Sequence, residues 1–130
     1  MKDFKYILFD LDGTITDSAK GITDSVKCAL EKMGEKIPPY ETLCRFIGPP
    51  LKTGFSEFCG LSDEMAEKAV EYYREYYHVK GVLDCTVYAG IPALLEKLQS
   101  AGTKTVLATS KPEKFAKIIL EHYGLSKNFY

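Results

Sequence analysis

Two carboxylates, Asp10 and Asp12, lie two residues apart in the segment DLDGT at residues 10–14. They follow the continuous apolar run YILF at residues 6–9, which is typical of a strand buried on both faces of a parallel sheet. Ligands of open α/β sheets bind outside the carboxyl ends of the strands. Asp and Gly also form ordinary turns, but two carboxylates that leave a buried strand together repel each other unless a cation or a function compensates. Oxygen ligands suit Mg²⁺, so the pattern favours a catalytic or metal site.

The spacing of apolar residues predicts the elements that position this pair. A second short strand is predicted at 105–108, and Ser110-Lys111-Pro112-Glu113 has the pattern of a capping box with Ser110 as N-cap. One face of the helix after Ser62 should carry Leu61, Met65, Ala69, Val70, Tyr73 and Tyr77. The predicted helices cover residues 18–33, 41–46, 51–59, 62–80, 91–101 and 110–124.

The resulting order is a strand, four helices, and then helix, strand, helix. Strands that alternate with helices imply an α/β core with a parallel sheet. Four helices are too many for one crossover, so residues 16–82 are predicted to form an inserted all-helical subdomain on a core of residues 1–15 and 83–130. The apolar stripes of the helices at 18–33 and 62–80 should face each other.

Composition excludes several classes of protein. The 130 residues carry 17 Lys and Arg against 18 Asp and Glu, a net charge of −1, which argues against binding to nucleic acid or a membrane surface through net charge. No apolar run approaches the roughly 20 residues of a membrane helix, and an acid interrupts the N-terminal segment before a signal sequence could develop. A cytoplasmic location is expected. The four cysteines form no C-x-x-C pair and are expected to be reduced and mostly buried.

The sequence FDLDGT at residues 9–14, followed by Asp17-Ser18, resembles motif I of the haloacid dehalogenase (HAD) superfamily. LATSKP at 107–112 is similar to motif II, the strand-ending motif of that family. FIGPPL at 46–51 resembles a cap segment of its phosphoglycolate phosphatase-like and bacterial 5′-nucleotidase-like branch. The resemblance implies a HAD-like Rossmannoid core with parallel strands, incomplete here, and a four-helix C1 cap inserted after motif I.

The resemblance also implies a mechanism. Asp10 would be the nucleophile that forms an aspartyl-phosphate, and Asp12 would be the general acid and base. The Asp10 carboxylate and the Asp12 backbone carbonyl would bind Mg²⁺. Thr109 would hydrogen-bond a phosphoryl oxygen, and the backbone N–H groups of Leu11 and Asp12 would add donors. Because the family's dehalogenases lack the second Asp, phosphoryl chemistry is favoured, with a small phosphorylated metabolite as the substrate.

Further candidate substrate contacts have ordinary alternatives. Ser110 and Lys111 follow Thr109 directly, but Lys111 would then be either a phosphate-binding lysine or a solvated residue of the first helical turn. Arg45 suits bidentate contacts to an anion and could equally be a surface arginine. The tyrosines at 72, 73, 76 and 77 suggest ring stacking with a ligand, although their spacing favours packing within the cap.

The resemblance implies two further motifs, one with a lysine and one with metal-binding aspartates, that would follow residue 130. No Asp occurs after Asp84. We therefore expect the chain to be a truncated or partial form that is impaired or inactive alone, with a two-stranded core sheet. The open edge of its first strand could mediate dimerisation. Two functions stay open: a Mg²⁺-dependent phosphatase acting on phosphoglycolate, a nucleoside monophosphate or a similar ester, and an inactive fragment or pseudo-enzyme with weak anion or partner binding.

Overall fold

A computed structural model describes residues 4–130 of the chain, which forms two compact units. One unit combines the residues up to Asp17 with Thr86–Tyr130, and the other is Ser18–Cys85. The strands are β1 (Tyr6–Phe9), β2 (Thr16–Asp17), β3 (Thr86–Val87) and β4 (Lys104–Leu107). The helices are α1 (Ala19–Lys32), α2 (Tyr40–Cys44), α3 (Leu51–Cys59), α4 (Asp63–Tyr76), α5 (Ile91–Ser100) and α6 (Glu113–His122). No helix among residues 4–130 is long and apolar enough to cross a membrane.

The predicted parallel sheet is confirmed in the α/β unit. Strands β1 and β4 pair in parallel from Tyr6 opposite Lys104 to Phe9 opposite Leu107. The pairing continues one residue further, because the Ala108 N–H donates to the Phe9 carbonyl at 2.7 Å. The polar segments that follow the two strands therefore start at the same edge of the sheet.

The expectation that β1 is buried on both faces is wrong for the described chain. Tyr6 and Leu8 are 47% and 67% exposed, whereas Ile7 and Phe9 are half-buried. Since successive strand residues point to opposite faces, one face of β1 is open to solvent among the described residues. A continuous apolar run does not distinguish a strand that is covered on one face from a strand that is covered on both, because the sequence pattern is the same in the two cases.

The α/β unit has its own apolar core behind the sheet. Its buried residues include Leu11 and Ile15 after β1, Leu95 on α5, and Phe115, Ala116, Ile119 and Leu120 on α6. Two side-chain hydrogen bonds connect the C-terminal segment to the rest of this unit. The Thr105 hydroxyl donates to the Asn128 carbonyl, and the Asn128 amide donates to Gln99 Oε1 at 3.1 Å. These bonds anchor the 3₁₀ turn Ser126–Asn128 to β4 and α5.

The helical unit is built around the predicted contact between α1 and α4. The buried face of α1 contains Ile22, Val26, Ala29 and Leu30. On α4 the buried residues are Ala66, Ala69 and Tyr73, whereas Met65 is 38% exposed. The predicted stripe is therefore wrong at Met65 and missed Ala66, because small residues on this face let the two helices approach closely.

The ends of α4 differ in how well the sequence predicts them. Ser62 caps its N-terminus as predicted, since its side chain accepts a hydrogen bond from the Met65 N–H at 3.3 Å. The predicted C-terminus near Lys80 is only partly correct, because the α-helix stops at Tyr76 and continues as one π-helical segment, Tyr77–Gly81. The tyrosines at 73 and 77 are buried and stack on each other with ring centroids 5.4 Å apart, so they pack within this unit.

The two-stranded ribbon of β2 and β3 was not predicted. These strands pair antiparallel through Thr16 opposite Val87 and Asp17 opposite Thr86. Two-residue strands have too few residues for any periodicity. The chain enters the helical unit after Asp17 and leaves it after Cys85. The sequence predicted that this unit covers residues 16–82.

Gly21 allows α1 to approach the end of the π-helical segment closely. The Gly21 N–H donates to the Asp84 carbonyl at 3.2 Å, and a β-carbon on Gly21 would lie 2.2 Å from the Gly81 carbonyl oxygen. Lys20 adds salt bridges of 2.9 Å to both Asp24 and Asp84. These hydrogen-bonded carboxylates, Asp84 first, raise the pKa of Lys20, although an ion pair this exposed adds little stability.

We expect Gly21→Ala to lower the free energy of unfolding by about 2 kcal/mol or more, because the new methyl group meets backbone that cannot rotate away. Alanine alone would favour the helix by about 0.5–1 kcal/mol, so the steric term decides the sign. Urea unfolding of the variant measures the change. Lys27→Ala, at an exposed position of the same helix, is the matched control, and equal stabilities of the two variants would contradict the close approach.

Candidate active site

The segment after β1 folds into a tight turn around one backbone carbonyl. The Leu11 carbonyl accepts the N–H groups of Thr14, Ile15 and Thr16 at 2.9–3.2 Å. Gly13 closes the turn with a φ of 82°, a value that favours glycine, and its N–H donates to the Thr16 carbonyl at 2.8 Å. Leu11 is fully buried. The buried leucine and the shared carbonyl thus fix the backbone that carries Asp10 and Asp12.

The two carboxylates of this turn have opposite environments. Asp10 is exposed, and its Oδ1 accepts the Leu11 N–H at 2.7 Å. The side chain of Asp12 is only 7% exposed. An exposed carboxylate that is oriented by a backbone donor can meet an incoming electrophile. In this structure the Leu11 N–H, which the resemblance assigns to a phosphoryl oxygen, is engaged with Asp10.

The segment after β4 does not form the predicted capping box. Helix α6 begins at Glu113 with Pro112 as its flanking residue, and no side chain caps it. Instead, the Lys111 N–H donates to Thr109 Oγ1 at 3.1 Å. The prediction failed because this bond closes a turn over residues 109–111, before the helix starts. A hydroxyl that accepts one hydrogen bond still has its proton to donate, so Thr109 retains a donor for an anionic oxygen.

An ion pair joins the two segments. Lys111 Nζ lies 3.3 Å from Asp12 Oδ1, and the two side chains are 6% and 7% exposed. The interpretation of Lys111 as a solvated first-turn residue is therefore wrong, because the turn at 109–111 directs the side chain inward to a buried carboxylate. No sequence signal could have indicated this pairing, since the partners are distant along the chain and belong to different elements.

The other two candidate substrate contacts have surroundings of their own. Ser110 lies beside Lys111 and is exposed. Arg45 belongs to the helical unit, where its guanidinium stacks 4.1 Å above the centre of the Phe58 ring. A cleft of about 240 Å³ in the α/β unit is lined by other residues, among them Gln99, Lys104, Lys127 and Tyr130.

The fit to a divalent cation can be tested on the donors present. Among residues 4–130 no three His, Cys, Asp or Glu side chains gather as a set that could hold a metal by themselves. The oxygen donors of Asp10 and Asp12 nevertheless suit Mg²⁺, which is often bound by one or two carboxylates together with water and substrate phosphate. Because Lys111 pairs with the Asp12 carboxylate, the Asp10 carboxylate is the side chain left for that role.

The cysteines lie elsewhere in the chain. Cys85 is buried, whereas Cys28, Cys44 and Cys59 are half-buried, so the expectation of mostly buried thiols holds fully for Cys85 alone. Burial raises the pKa of the Cys59 thiol, and the nearby charge of Glu35 raises it further. A thiol with a raised pKa is a weak nucleophile at neutral pH.

Comparison with known proteins gives one family and several named relatives. The model of the family described as haloacid dehalogenase-like hydrolase matches residues 7–130. A 5′-nucleotidase of Pseudomonas aeruginosa is 45% identical over 95% of this chain and 56% of its own length. A tyrosine-protein kinase of Mycobacterium tuberculosis is 39% identical over 95% of this chain and 42% of its own length. A phosphoglycolate phosphatase of Aquifex aeolicus is 34% identical over 96% and 58%, respectively.

A solved structure is likewise similar to almost all of this chain but extends well beyond the matched part. The crystal structure described as a predicted phosphatase from Clostridium acetobutylicum superposes with a TM-score of 0.94 at 48% identity. It matches 98% of this chain and 59% of its own. The chain therefore spans about half the length of the relatives that it matches, and the turn with Asp10 and Asp12 lies inside residues 7–130, which the family model matches.

Asp12→Asn should destabilise the fold more than Asp10→Asn, although the two substitutions are chemically identical. Removing the charge of Asp12 leaves the buried ammonium of Lys111 without its counter-charge and should cost about 1–3 kcal/mol, since the amide oxygen still accepts a hydrogen bond. Asp10 is exposed, so its substitution should change stability by less than about 0.5 kcal/mol. Urea unfolding curves of both variants test this, and equal midpoints would argue against a paired Asp12.

Proposed function

This chain belongs to the haloacid dehalogenase-like hydrolases, and we propose that it carries the nucleophile and the general acid/base of a phosphatase for small phosphate monoesters. The observation that supports this most is the pairing of an exposed Asp10 with a buried Asp12 on one fixed turn. Two carboxylates in different environments can take different chemical roles. Thr109 follows the adjacent strand and retains a hydroxyl proton for a phosphoryl oxygen.

The proposed reaction proceeds in two steps. The Asp10 carboxylate attacks phosphorus and forms an aspartyl-phosphate, while the bond to the ester oxygen breaks and Asp12, which enters this step in its protonated form, gives that oxygen its proton. Asp12, now a carboxylate, then takes a proton from water as the water attacks phosphorus. Inorganic phosphate leaves and Asp10 returns as a carboxylate. Each step moves one proton and breaks one bond to phosphorus.

The cation we propose is Mg²⁺, bound by the Asp10 carboxylate and the Asp12 backbone carbonyl, with water and the substrate phosphate completing its ligands. It would offset the charge between an anionic nucleophile and an anionic ester. The Leu11 N–H can donate to a phosphoryl oxygen only if its present hydrogen bond to Asp10 Oδ1 breaks. Ser110, Lys111 and Arg45 stay candidate substrate contacts, and the cytoplasmic location and the edge-strand dimer stay predictions.

The substrate class follows from the relatives only in part. Proteins named 5′-nucleotidase and phosphoglycolate phosphatase both match this chain, so nucleoside monophosphates and phosphoglycolate are the esters to assay first, beside p-nitrophenyl phosphate. The alternative is an inactive chain that binds anions weakly. It is favoured by the lack of a third acidic ligand near Asp10 and Asp12 among the described residues.

Asp10→Asn should abolish turnover in the full-length gene product, because an amide cannot form the acyl-phosphate. Asp12→Asn should lower kcat by about 10²–10⁴-fold, the usual value of general acid/base catalysis. Initial rates with phosphoglycolate and nucleoside monophosphates measure both effects. Asp17→Asn, at an exposed carboxylate of the same segment, is the matched control. Near-normal turnover by Asp10→Asn would refute the covalent mechanism, and binding of phosphate without any turnover by the wild-type protein would favour the inactive alternative.

Removing divalent cations with EDTA should stop turnover, and added Mg²⁺ should restore it. Ca²⁺ should restore much less, because it prefers six to eight ligands and looser geometry than a site with one carboxylate and a substrate phosphate offers. Rates measured against cation concentration after dialysis test this. Full activity in the presence of EDTA would remove the cation from the mechanism.

A further inference from the structure

We propose that Lys111 is a positioning residue for the second step, in which it holds the Asp12 carboxylate where that group takes a proton from the attacking water. The inference rests on the proposed phosphatase function. It assigns Lys111 an action through Asp12, which differs from direct contact with the substrate phosphate.

The burial of the pair is the first argument. Lys111 Nζ and Asp12 Oδ1 are 3.3 Å apart, with both side chains more than nine-tenths buried. Taking two such groups out of water is unfavourable, and their attraction compensates for that only with good geometry. A lysine that only had to attract an anionic substrate would act well from a solvated position. The buried ammonium instead lies against the Asp12 carboxylate.

The second argument is that Lys111 is itself held in place. Its N–H donates to Thr109 Oγ1 at 3.1 Å. Immediately after it, α6 is anchored in the core by Phe115 and Ala116, whose N–H groups donate to the Pro112 carbonyl at 3.0 and 3.2 Å. The backbone that carries Lys111 is thus held on both sides, by the segment after β4 and by α6.

The third argument concerns Asp12. Its backbone lies in the turn around the Leu11 carbonyl, and its side chain is buried beside Lys111. The ammonium at Oδ1 fixes one oxygen of the carboxylate and with it the plane of the group. The ammonium, 3.3 Å from Oδ1, holds the carboxylate in one orientation, which the group needs when it takes a proton from the water that attacks the aspartyl-phosphate. A displacement of about 1 Å in such a group can cost about 10² in rate.

The test uses the full-length gene product with Lys111→Met, Lys111→Arg, Asp12→Asn and the double variant Asp12→Asn/Lys111→Met. Lys114→Met, which removes an exposed lysine from the first turn of α6, three residues after Lys111, is the matched control. With p-nitrophenyl phosphate, whose leaving group needs no proton, Lys111→Met should lower kcat by about 10²-fold and leave KM within about threefold. It should also produce a burst of p-nitrophenol close to one equivalent and a trappable aspartyl-phosphate, because the second step has become slow. Lys111→Arg should recover part of kcat.

The double variant separates action through Asp12 from a direct contact. Added to Asp12→Asn, the Lys111→Met substitution should change kcat by less than about twofold, because the group through which it acts is gone. A tenfold higher KM with additive effects would overturn the inference in favour of direct phosphate binding. Loss of kcat without a burst would overturn it as well.

Separate measurements test whether the variants fold and whether the wild-type protein has the proposed phosphatase function. If Lys111→Met fails to give the circular dichroism spectrum of the wild type, Lys111→Arg, which keeps the charge, decides: a burst with lowered kcat supports the inference, and wild-type kinetics overturn it. A wild-type protein that turns over no phosphate monoester overturns the proposed function, and the inference falls with it. An active wild type with wild-type behaviour of both Lys111 variants overturns the inference alone.

Discussion

The buried ion pair between Asp12 and Lys111 connects the two loops on which the candidate site depends. The parallel pairing of β1 and β4 brings the start of both loops to one sheet edge, but it leaves their side chains free to point elsewhere. The ion pair removes that freedom, because a buried charge must find its counter-charge. Once Lys111 turns inward, Thr109 is drawn into the same turn through the Lys111 N–H.

A second constraint lies in the backbone and complements the first. The Leu11 carbonyl gathers three N–H groups, and Leu11 itself is fully buried. The result is a rigid turn that presents Asp10 to solvent and Asp12 to the interior. Catalytic groups on rigid turns lose less of their precision to motion than groups on open loops. One short segment of chain thus produces two carboxylates with opposite environments.

The sequence predicted those features that depend on local pattern. The apolar runs located both strands, the spacing of apolar residues located the helices, with α3 at its observed bounds, and Ser62 capped α4 as expected. What it could not predict depends on contacts between distant residues. Tertiary contact selected Ala66 over Met65 for the buried face of α4, and the ribbon of β2 and β3 is too short to leave a period. The capping box at Ser110 failed because Pro112 keeps an extended backbone with a ψ of 135°, so that α6 begins only at Glu113.

The same reasoning indicates why an ion pair occupies this position at all. Replacing a buried ion pair by apolar side chains of similar volume is often neutral or stabilising, so stability alone gives little reason to bury Asp12 and Lys111. The turn that holds Asp12 also carries the exposed Asp10 carboxylate, and the partner Lys111 is hydrogen-bonded to Thr109, whose hydroxyl has a proton to donate. Buried charges with a specific partner beside such groups are typical of functional sites. If the turn has the proposed function, the pair contributes by fixing where one carboxylate points rather than by stabilising the fold.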